Sequence, residues 1–234
     1  MQPMNDAAAG LSIIIPTLNE AASIVSTLTG LQTVRAAGHE VIVADGGSTD
    51  ATCSLAAPFA DQLLHSERGR ARQMNGGAAV ARGEVLVFLH ADTLLPEGAD
   101  RVIRAGLAQT GARWGRFDVR LSGSHPLLRV VETLMNARSR LTGIATGDQA
   151  IFVRRDVFEQ VGGFPDIPLM EDIAISRILR RISRPFCVRE RVITSSRRWE
   201  RRGIVRTVLL MWWLRLAYAC GADPQRLARL YRSS

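Results

Sequence analysis

The chain has 234 residues, 47% of them apolar, which excludes a largely disordered protein and fits one large domain or one domain with a helical extension. All 30 basic residues are arginine, against 22 acids, and the net charge is +8. The three cysteines (Cys53, Cys187 and Cys220) are far apart, which excludes a CxxC motif and indicates a reduced compartment.

The first half of the chain alternates between strand and helix patterns. Short apolar, β-branched runs predict strands, and the amphipathic or alanine-rich segments between them predict helices. The strands are expected at 11–15, 41–44, 62–65 and 84–89, and the helices at about 20–31, from about 48, at 69–81 and at 96–109. This alternation predicts an α/β fold with a mostly parallel, Rossmann-like sheet and helices on both faces.

The pattern changes after Gly111. Further strands are expected at 117–121 and 149–153, and further helices at 127–141, 170–182 and 204–219. We therefore predict one domain over 11–200, made of two halves, 11–110 and 111–200. A flexible tail, 1–10, precedes the domain, and a basic amphipathic helical extension, 201–234, follows it.

Charge is distributed unevenly along the chain. Residues 1–176 hold 15 arginines and 19 acids, net −4, whereas residues 177–234 hold 15 arginines and 3 acids, net +12. The absence of lysine is most simply a genomic coding bias, but the basic C-terminal quarter predicts an anionic partner: a diphosphate, a membrane surface or a nucleic acid. No interleaving of aromatic and basic residues typical of nucleic-acid modules is present, so nucleic acid is not expected.

The last long helix invites two interpretations. Arg201, Arg202 and Arg206 precede an apolar segment with Trp212 and Trp213, a pattern found in helices that lie on a membrane surface. The alternative is a helix that packs on the core or in a homodimer through residues 203–219. The N-terminal residues have no signal-peptide pattern, and the run 207–214 is too short to span a bilayer. We expect a cytoplasmic protein, either free or peripheral on the inner face of the membrane.

Polar residues recur where predicted strands end or helices begin. Because α/β proteins bind ligands at the carboxyl ends of their parallel strands, these residues are candidates for one site. They are Asn19-Glu20, Asp45 with Asp50, Asn75, Asp92 and Glu171-Asp172.

Two of these clusters suggest specific chemistry. The glycines after Asp45 permit close backbone approach to a ligand, and the Asp45 carboxylate could accept an N–H of a base, whereas Asp50 is better explained as stabilising the next helix. Asp92 could hold Mg²⁺ or Mn²⁺ if a diphosphate and water supplied the other ligands. His90 is a second candidate ligand, or else a hydrogen-bond donor or a packed residue.

The Glu171-Asp172 pair also has two readings. Both acids could be charges that stabilise the start of a helix. Alternatively, Asp172 is a general base that takes a proton from an acceptor hydroxyl, and Glu171 orients it or raises its pKa through like-charge proximity.

Five motifs in order resemble the family 2 glycosyltransferases, which have the GT-A fold, over about Leu11 to Ile178. The motifs are IIIPTLNE (13–20), VADGGSTDAT (43–52), GRARQMNGG (69–77) with GEVLVFLHADT (83–93), GGF (162–164) and Glu171-Asp172. FLHADT together with ERGRARQMN (67–75) is most similar to the radical-SAM/selenodomain-associated transferase 2 subgroup, also described as arsenosugar-biosynthesis glycosyltransferases.

The resemblance implies a nucleotide-diphosphate sugar donor, often UDP-linked, a small-molecule or lipid-linked acceptor, Mg²⁺ or Mn²⁺, and inversion at the anomeric carbon. The first half would bind the donor and the second half the acceptor. The implied donor-binding residues are Pro16, Thr17, Asn19, Glu20, Asp45, Gly46, Arg70, Asn75, Ala91, Asp92 and Arg198. Those expected at the acceptor are Asp148, Gln149 and Trp199.

By the same resemblance, Asp172 matches the catalytic base, with Glu171 beside it, and Asp92 matches the last acid of the family's Asp-x-Asp metal motif, where His90 replaces the first. Arg197 or Arg198 would contact the leaving diphosphate. The segment 195–199 is similar to the Gln-x-x-Arg-Trp signature of processive members, with serine in place of glutamine, and processive synthesis is not expected.

Two other functions compete with glycosyl transfer. A sugar-phosphate nucleotidyltransferase would have a glycine-rich basic loop after the first strand, where this chain has Pro-Thr-Leu-Asn-Glu (16–20). A non-enzymatic adaptor would use the basic C-terminal quarter to bind a membrane surface.

Overall fold

A computed structural model describes residues 10–233, and the side chains of 10–231. The flexible tail predicted for 1–10 therefore lies outside the described residues except for Gly10. None of the helices within 10–233 has the length and apolar character needed to cross a bilayer.

The described residues form one eight-stranded sheet with the order β3-β2-β1-β4-β7-β6-β8-β5. Strands β1 to β4 pair in parallel, as do β6 and β8, whereas β7 runs antiparallel to both of its neighbours and β5 antiparallel to β8. The strands are β1 Leu11–Thr17, β2 Glu40–Asp45, β3 Gln62–His65, β4 Val85–Phe88, β5 Thr93–Leu94, β6 Trp114–Leu121, β7 Ile151–Arg154 and β8 Phe186–Thr194.

Helices cover both faces of this sheet, which confirms the predicted α/β class. They are α1 Ile24–Gly30, α2 Gln32–Ala36, α3 Thr52–Ala56, α4 Arg70–Val80, α5 Ala99–Thr110, α6 Pro126–Thr142, α7 Arg155–Gln160, α8 Glu171–Ile182, α9 Arg197–Arg202, α10 Ile204–Ala219 and α11 Pro224–Ser233.

The apolar residues Ile13, Ile14 and Ile15 of β1 contribute side chains to two separate cores. Successive side chains of a strand point to opposite faces of the sheet. Ile13 and Ile15 therefore enter one core with α1 and α5, and Ile14 enters the other with α4, α7 and α8. Gly77 of α4 lets that helix approach closely, because a Cβ there would stand 2.5 Å from Ile14 Cγ2. A strand buried on both faces is continuous in hydrophobicity, which explains why β1 and β2 are readable from sequence.

The C-terminal helices pack on the rest of the domain through a third core. Leu214 of α10 and Leu227 of α11 are buried together with Met170 and Ile173, which flank the start of α8. The packing alternative for α10 therefore holds for one face of the helix. Its other face leaves Val205, Leu209, Trp212, Trp213 and Leu216 between 51% and 65% exposed.

Five elements have no counterpart in the sequence prediction: α2, β5, α7, β8 and α9, while α11 lies within the predicted helical extension 201–234. Strand β8 has three consecutive charged residues, Arg189 to Arg191, in its middle, and its register with β6 shifts at Phe117/Asp118. A bulge breaks the period-2 alternation on which strand recognition depends. The helix expected from about residue 20 begins at Ile24, after a turn in which Asn19 has a φ of 55°.

Candidate active site

An open cavity of about 1220 Å³ lies at the carboxyl ends of the central parallel strands. The segments after β1 and β4, the loop before β7, the start of α8 and the end of β8 all contribute to its wall. Residues from both predicted halves therefore meet at one site. The predicted site residues in the lining are Pro16, Thr17, Glu20, Arg70, His90, Ala91, Asp92, Asp148, Glu171, Asp172, Arg198 and Trp199.

The other predicted residues support this wall from behind. Asn19 accepts a hydrogen bond from Thr49 N (2.9 Å), and Asn75 Nδ2 donates to Phe164 O (2.8 Å) while its Oδ1 accepts from Phe164 N (2.9 Å). Gln149 is fully buried in a 3-10 turn. The described cavity lining does not include these three residues, nor Asp45 and Gly46.

Asp45 is the anchor of the loop after β2. Its carboxylate is buried and accepts hydrogen bonds from Gly47 N (2.9 Å), Ser48 N (2.8 Å), Ser48 Oγ (2.5 Å) and Thr17 Oγ1 (3.0 Å). Burial alone would raise the pKa of Asp45, but these hydrogen bonds hold it below its ordinary value. Asp50 accepts a hydrogen bond from Thr52 N (3.0 Å) at the start of α3, as its structural interpretation expected.

Gln73 is a site residue that the sequence prediction missed. Its Nε2 donates to Thr17 O (2.7 Å) and Ala44 O (2.9 Å), so it ties α4 to the ends of β1 and β2. A Cβ on Gly46 would stand 2.9 Å from Gln73 Cδ, so glycine is required there for steric reasons. A buried glutamine in a helix gives no local signal of which strand ends it will contact.

One trio within residues 10–233 has the spacing of a metal site: ligand atoms of Asp45, Cys53 and His65 lie within 4.8 Å of one another. The Asp45 oxygens already accept four hydrogen bonds, and burial together with the Asp45 charge raises the pKa of the Cys53 thiol. Because metals bind the thiolate, we interpret the trio as a hydrogen-bonded cluster.

Asp92 fits the predicted role of metal ligand. Its carboxylate lines the cavity with 29% of the side chain exposed, and among the described residues its one ion pair is with Arg197 Nη2 at 3.9 Å. The same guanidinium lies 3.8 Å from Glu20. The Asp92 carboxylate, held only by this long ion pair among the described residues, could meet a cation whose other ligands come from a diphosphate and water.

The two ring nitrogens of His90 face different neighbours. Its Nδ1 lies 3.3 Å from Asp148 Oδ1, and its buried Nε2 has no hydrogen-bond partner among residues 10–233. A Cβ on Gly147 would stand 2.3 Å from that Nε2, so the ring packs directly on the glycine. Although burial would raise the pKa of Asp148, the His90 hydrogen bond and nearby positive charges lower it to about 2.

The acid pair sits at the first turn of α8. Asp172 Oδ2 accepts from Gly147 N (2.9 Å) and Oδ1 from Ile173 N (2.7 Å). Glu171 is buried, and its Oε1 lies 3.7 Å from Arg70 Nη1. Burial and the Asp172 charge raise the pKa of Glu171. Met170, which precedes the pair, has a φ of 70°, a strained conformation of the kind found at functional sites.

Positive charge balances these acids. Arg70 is half-exposed in the cavity, and although burial would lower its pKa, Glu171, Asp148, Asp172 and Asp92 raise it. Arg138 of α6 and Arg215 of α10 also line the cavity, and the sequence prediction missed both. The available signal was an arginine within an apolar helical run, Trp212 to Leu216 for Arg215.

This sheet, with its cavity at the carboxyl ends of parallel strands, has the GT-A fold. The mannosyltransferase PcManGT from Pyrobaculum calidifontis, solved with GDP-Man and Mn²⁺, superposes with a TM-score of 0.60 at 23% identity over 78% of this chain and 56% of that one. The glucosyl-3-phosphoglycerate synthase of Mycobacterium tuberculosis, solved with Mn²⁺, UDP and glucosyl-3-phosphoglycerate, gives a TM-score of 0.57 at 19% identity over 80% and 71%.

The chain belongs to glycosyltransferase family 2, because the profile of Glycosyl transferase family 2 matches residues 12–162. The PGL/p-HBAD biosynthesis glycosyltransferase of Mycobacterium tuberculosis is 32% identical over 183 residues, which cover 68% of this chain and 64% of that protein. The chain thus spans less than two thirds of this relative. The resemblance is confirmed at the level of the family, which counts against the nucleotidyltransferase and adaptor alternatives.

Replacing Asp45 with asparagine should lower stability by about 1–3 kcal/mol at neutral pH, because an amide cannot accept the four hydrogen bonds of the carboxylate. The folded-state pKa of Asp45 is depressed, so its stabilisation is present above the ordinary value of 3.8 and is lost as pH falls through the folded pKa. The free energy of unfolding is measured in urea from pH 7 to pH 3. Its difference between the wild type and Asp45→Asn should shrink in acid, whereas Glu97→Gln, at an exposed acid, should show no such trend.

Proposed function

We propose that the chain transfers a sugar from a nucleotide-diphosphate sugar to an acceptor hydroxyl with inversion of configuration. The observation that carries the proposal is that Asp92 and Asp172, 80 positions apart in sequence, line the same cavity. One carboxylate is available to a cation at the leaving group, and the other to an incoming hydroxyl. UDP is the first candidate nucleotide, and a solved structure with the same fold that was obtained with UDP supports it.

The donor end of the proposed site lies around the strand ends. Pro16, Thr17 and Glu20 form the wall after β1, and Arg70 and Arg198 bring positive charge toward a diphosphate. Guanidinium groups bind phosphate through charge-assisted, often bidentate hydrogen bonds. Asp45, Gly46, Asn19 and Asn75 would act by fixing the loops that carry this wall.

Asp92 would hold Mg²⁺ or Mn²⁺, with His90 as the second candidate. When bound, such a cation stabilises negative charge on a leaving diphosphate as a Lewis acid. Two solved structures with this fold were obtained with Mn²⁺, which supports the choice of a divalent cation. Arg197, which lies within 4 Å of both Asp92 and Glu20, is placed to add a hydrogen bond to the same diphosphate.

Asp172 is the proposed general base. The hydrogen bond from Gly147 N to Oδ2 and the one from Ile173 N to Oδ1 fix the orientation of its carboxylate. The buried Glu171 lies beside it, and Arg70 Nη1 stands 3.7 Å from Glu171 Oε1. A positioned carboxylate that takes the hydroxyl proton as the oxygen attacks contributes about 10²–10⁴-fold to a rate.

The acceptor would enter between α6 and α10, where the cavity wall is apolar. Asp148 and Trp199 line the same cavity, and Gln149 is buried next to Asp148 in the chain. The narrower resemblance to arsenosugar-biosynthesis glycosyltransferases suggests a small, water-soluble acceptor. The exposed apolar faces described below favour a lipid-linked one, and the identity of the sugar is left open.

A membrane surface is the proposed location of this lipid-linked acceptor, at the inner face of the membrane. Helix α10 exposes a stripe at the helical spacing of Val205, Leu209, Trp212 and Leu216, and the neighbouring α6 exposes Leu127, Val130, Leu134 and Leu141. Exposed apolar stripes of this kind mark interaction surfaces. The arginine-rich segment beside them, net +12 over 177–234, complements anionic headgroups.

Asp172→Asn should bind donor as the wild type does but lose about 10²-fold or more in the rate of sugar transfer. The asparagine Oδ1 can still accept the hydrogen bond from Gly147 N, so the loop should keep its place. Release of free nucleotide diphosphate with a glycosyl acceptor gives the rate, and Asp156→Asn, at an exposed acid outside the cavity, is the matched control. Undiminished transfer by Asp172→Asn would remove this residue from the base role.

UDP with Mn²⁺ should raise the melting temperature of the wild type more than UDP alone, because ligands that bind only the folded state stabilise it. In Asp92→Asn the extra shift from Mn²⁺ should disappear, while the shift from UDP alone remains. The same melting measurement with several nucleoside diphosphates ranks their nucleobases by the size of the shift in melting temperature. If Asp92→Asn kept the whole metal-dependent shift, the cation would have to bind elsewhere.

Replacing Val205, Leu209 and Leu216 together with glutamine should abolish co-sedimentation with anionic vesicles without lowering the melting temperature, since all three are more than half exposed. Neutral vesicles should retain the wild type poorly, because the basic segment contributes only on an anionic surface. Equal sedimentation of variant and wild type would contradict membrane docking. A dimer that dissociates in the variant would identify the stripe as a homodimer interface instead.

A further inference from the structure

Two arginines of α6 and α10 line the cavity together with mostly apolar residues of the same helices. Arg138 projects from α6 and Arg215 from α10, and both line the cavity. The wall around them is formed by Val131, Leu134 and Met135 of α6 and by Val208, Met211 and Trp212 of α10. An apolar wall on two helices does not by itself explain two cationic side chains there.

Neither guanidinium is fully hydrogen-bonded within the part of the chain that the structure describes. Arg138 Nε and Nη2 and Arg215 Nε are buried without a hydrogen-bond partner among the side chains of 10–231 and the backbone of 10–233. Each such group costs free energy unless a partner compensates it, and the cost is larger for a charged group. The two positive charges also oppose each other: burial and then the Arg215 charge lower the pKa of Arg138 to about 10, and burial lowers that of Arg215.

The nearby acids are already committed. Asp172 and Asp148 are the carboxylates whose charges favour protonated Arg215, and both also act on Arg138. Asp172, however, accepts hydrogen bonds from Gly147 N and Ile173 N, and Asp148 lies against His90. Within residues 10–233 no carboxylate oxygen lies within 4 Å of a nitrogen of either arginine. The pair therefore feels the charge of the proposed base without a direct ion pair to it.

We propose that Arg138 and Arg215 bind a phosphate group of the acceptor, with the adjoining apolar part of the acceptor lying along the α6–α10 wall. This inference rests on the proposed function and names the class of its acceptor. Two guanidinium groups can present N–H donors to several phosphate oxygens at once, which a carboxylate pair cannot do. The phosphate anchors the acceptor, and a hydroxyl of the same molecule is then held near Asp172.

The test measures binding directly, with hexyl phosphate, inorganic phosphate and hexanol as probes in titration calorimetry. The wild type should bind hexyl phosphate about tenfold or more tightly than inorganic phosphate, because the alkyl chain adds apolar contact. It should bind hexanol, which lacks the phosphate, only weakly. Arg138→Gln and Arg215→Gln should each weaken hexyl phosphate binding by about tenfold or more, and Arg226→Gln, at an exposed arginine of α11, should leave it unchanged.

The melting temperature of each variant checks folding, and it should not fall, because removing one charge relieves the repulsion between the pair. UDP binding with Mn²⁺, measured on the same samples, should be unaffected. Three results would overturn the inference: no binding of hexyl phosphate by the wild type, equal binding of it and inorganic phosphate, or loss of UDP binding in the variants, which would assign the pair to the donor diphosphate. Because no transfer is measured, failure of the proposed glycosyl transfer gives a different result from failure of this site.

Discussion

The hydrogen bond from Gly147 N to Asp172 Oδ2 joins three parts of the chain that are remote in sequence. The loop before β7 donates it, the first turn of α8 accepts it, and the ring of His90, after β4, packs on the same glycine. A larger residue at 147 would collide with that ring. The spacing between the end of β4 and the start of α8 therefore depends on one residue without a side chain, and the position of both acidic clusters depends on that spacing.

Charge in the cavity is arranged so that acids and arginines alternate around its wall. Arg70 lies against Glu171 and is held charged by four carboxylates, and Arg197 lies between Glu20 and Asp92. A neighbouring guanidinium favours the charged form of a carboxylate in a partly desolvated site. The same wall therefore offers carboxylates to a cation and guanidinium groups to an anion.

The sequence was sufficient for the elements with uninterrupted patterns. Strands β1 to β4 and helix α10 were readable because a strand buried on both faces, or a long apolar helix, keeps one signal over its whole length. Strand β8 was not, because its charged centre and its bulge interrupt the alternation. The order of the strands, with antiparallel β7 between β4 and β6, is a long-range property that no local pattern specifies.

At the site, residues that belong to recognisable motifs lie in the cavity or directly behind it. The motifs do not distinguish the residues that line the cavity from those that hold its loops in place. Asn75 and Asn19 satisfy backbone groups of other loops, whereas Glu20 and Asp92 line the cavity. Gln73, Arg138 and Arg215 had no motif, since their importance arises only when α4, α6 and α10 are packed against the strand ends. The burial and hydrogen bonding of a polar side chain depend on tertiary structure, which a local sequence pattern does not specify.

Helix α10 supports the segment that carries the proposed base. Leu214 is buried with Met170 and Ile173, the residues on either side of Glu171 and Asp172, while the opposite side of the same helix is exposed. The region matched by the family profile ends at residue 162, before this contact. The C-terminal helices thus complete the packing around the acid pair although they lie outside the region that the family shares.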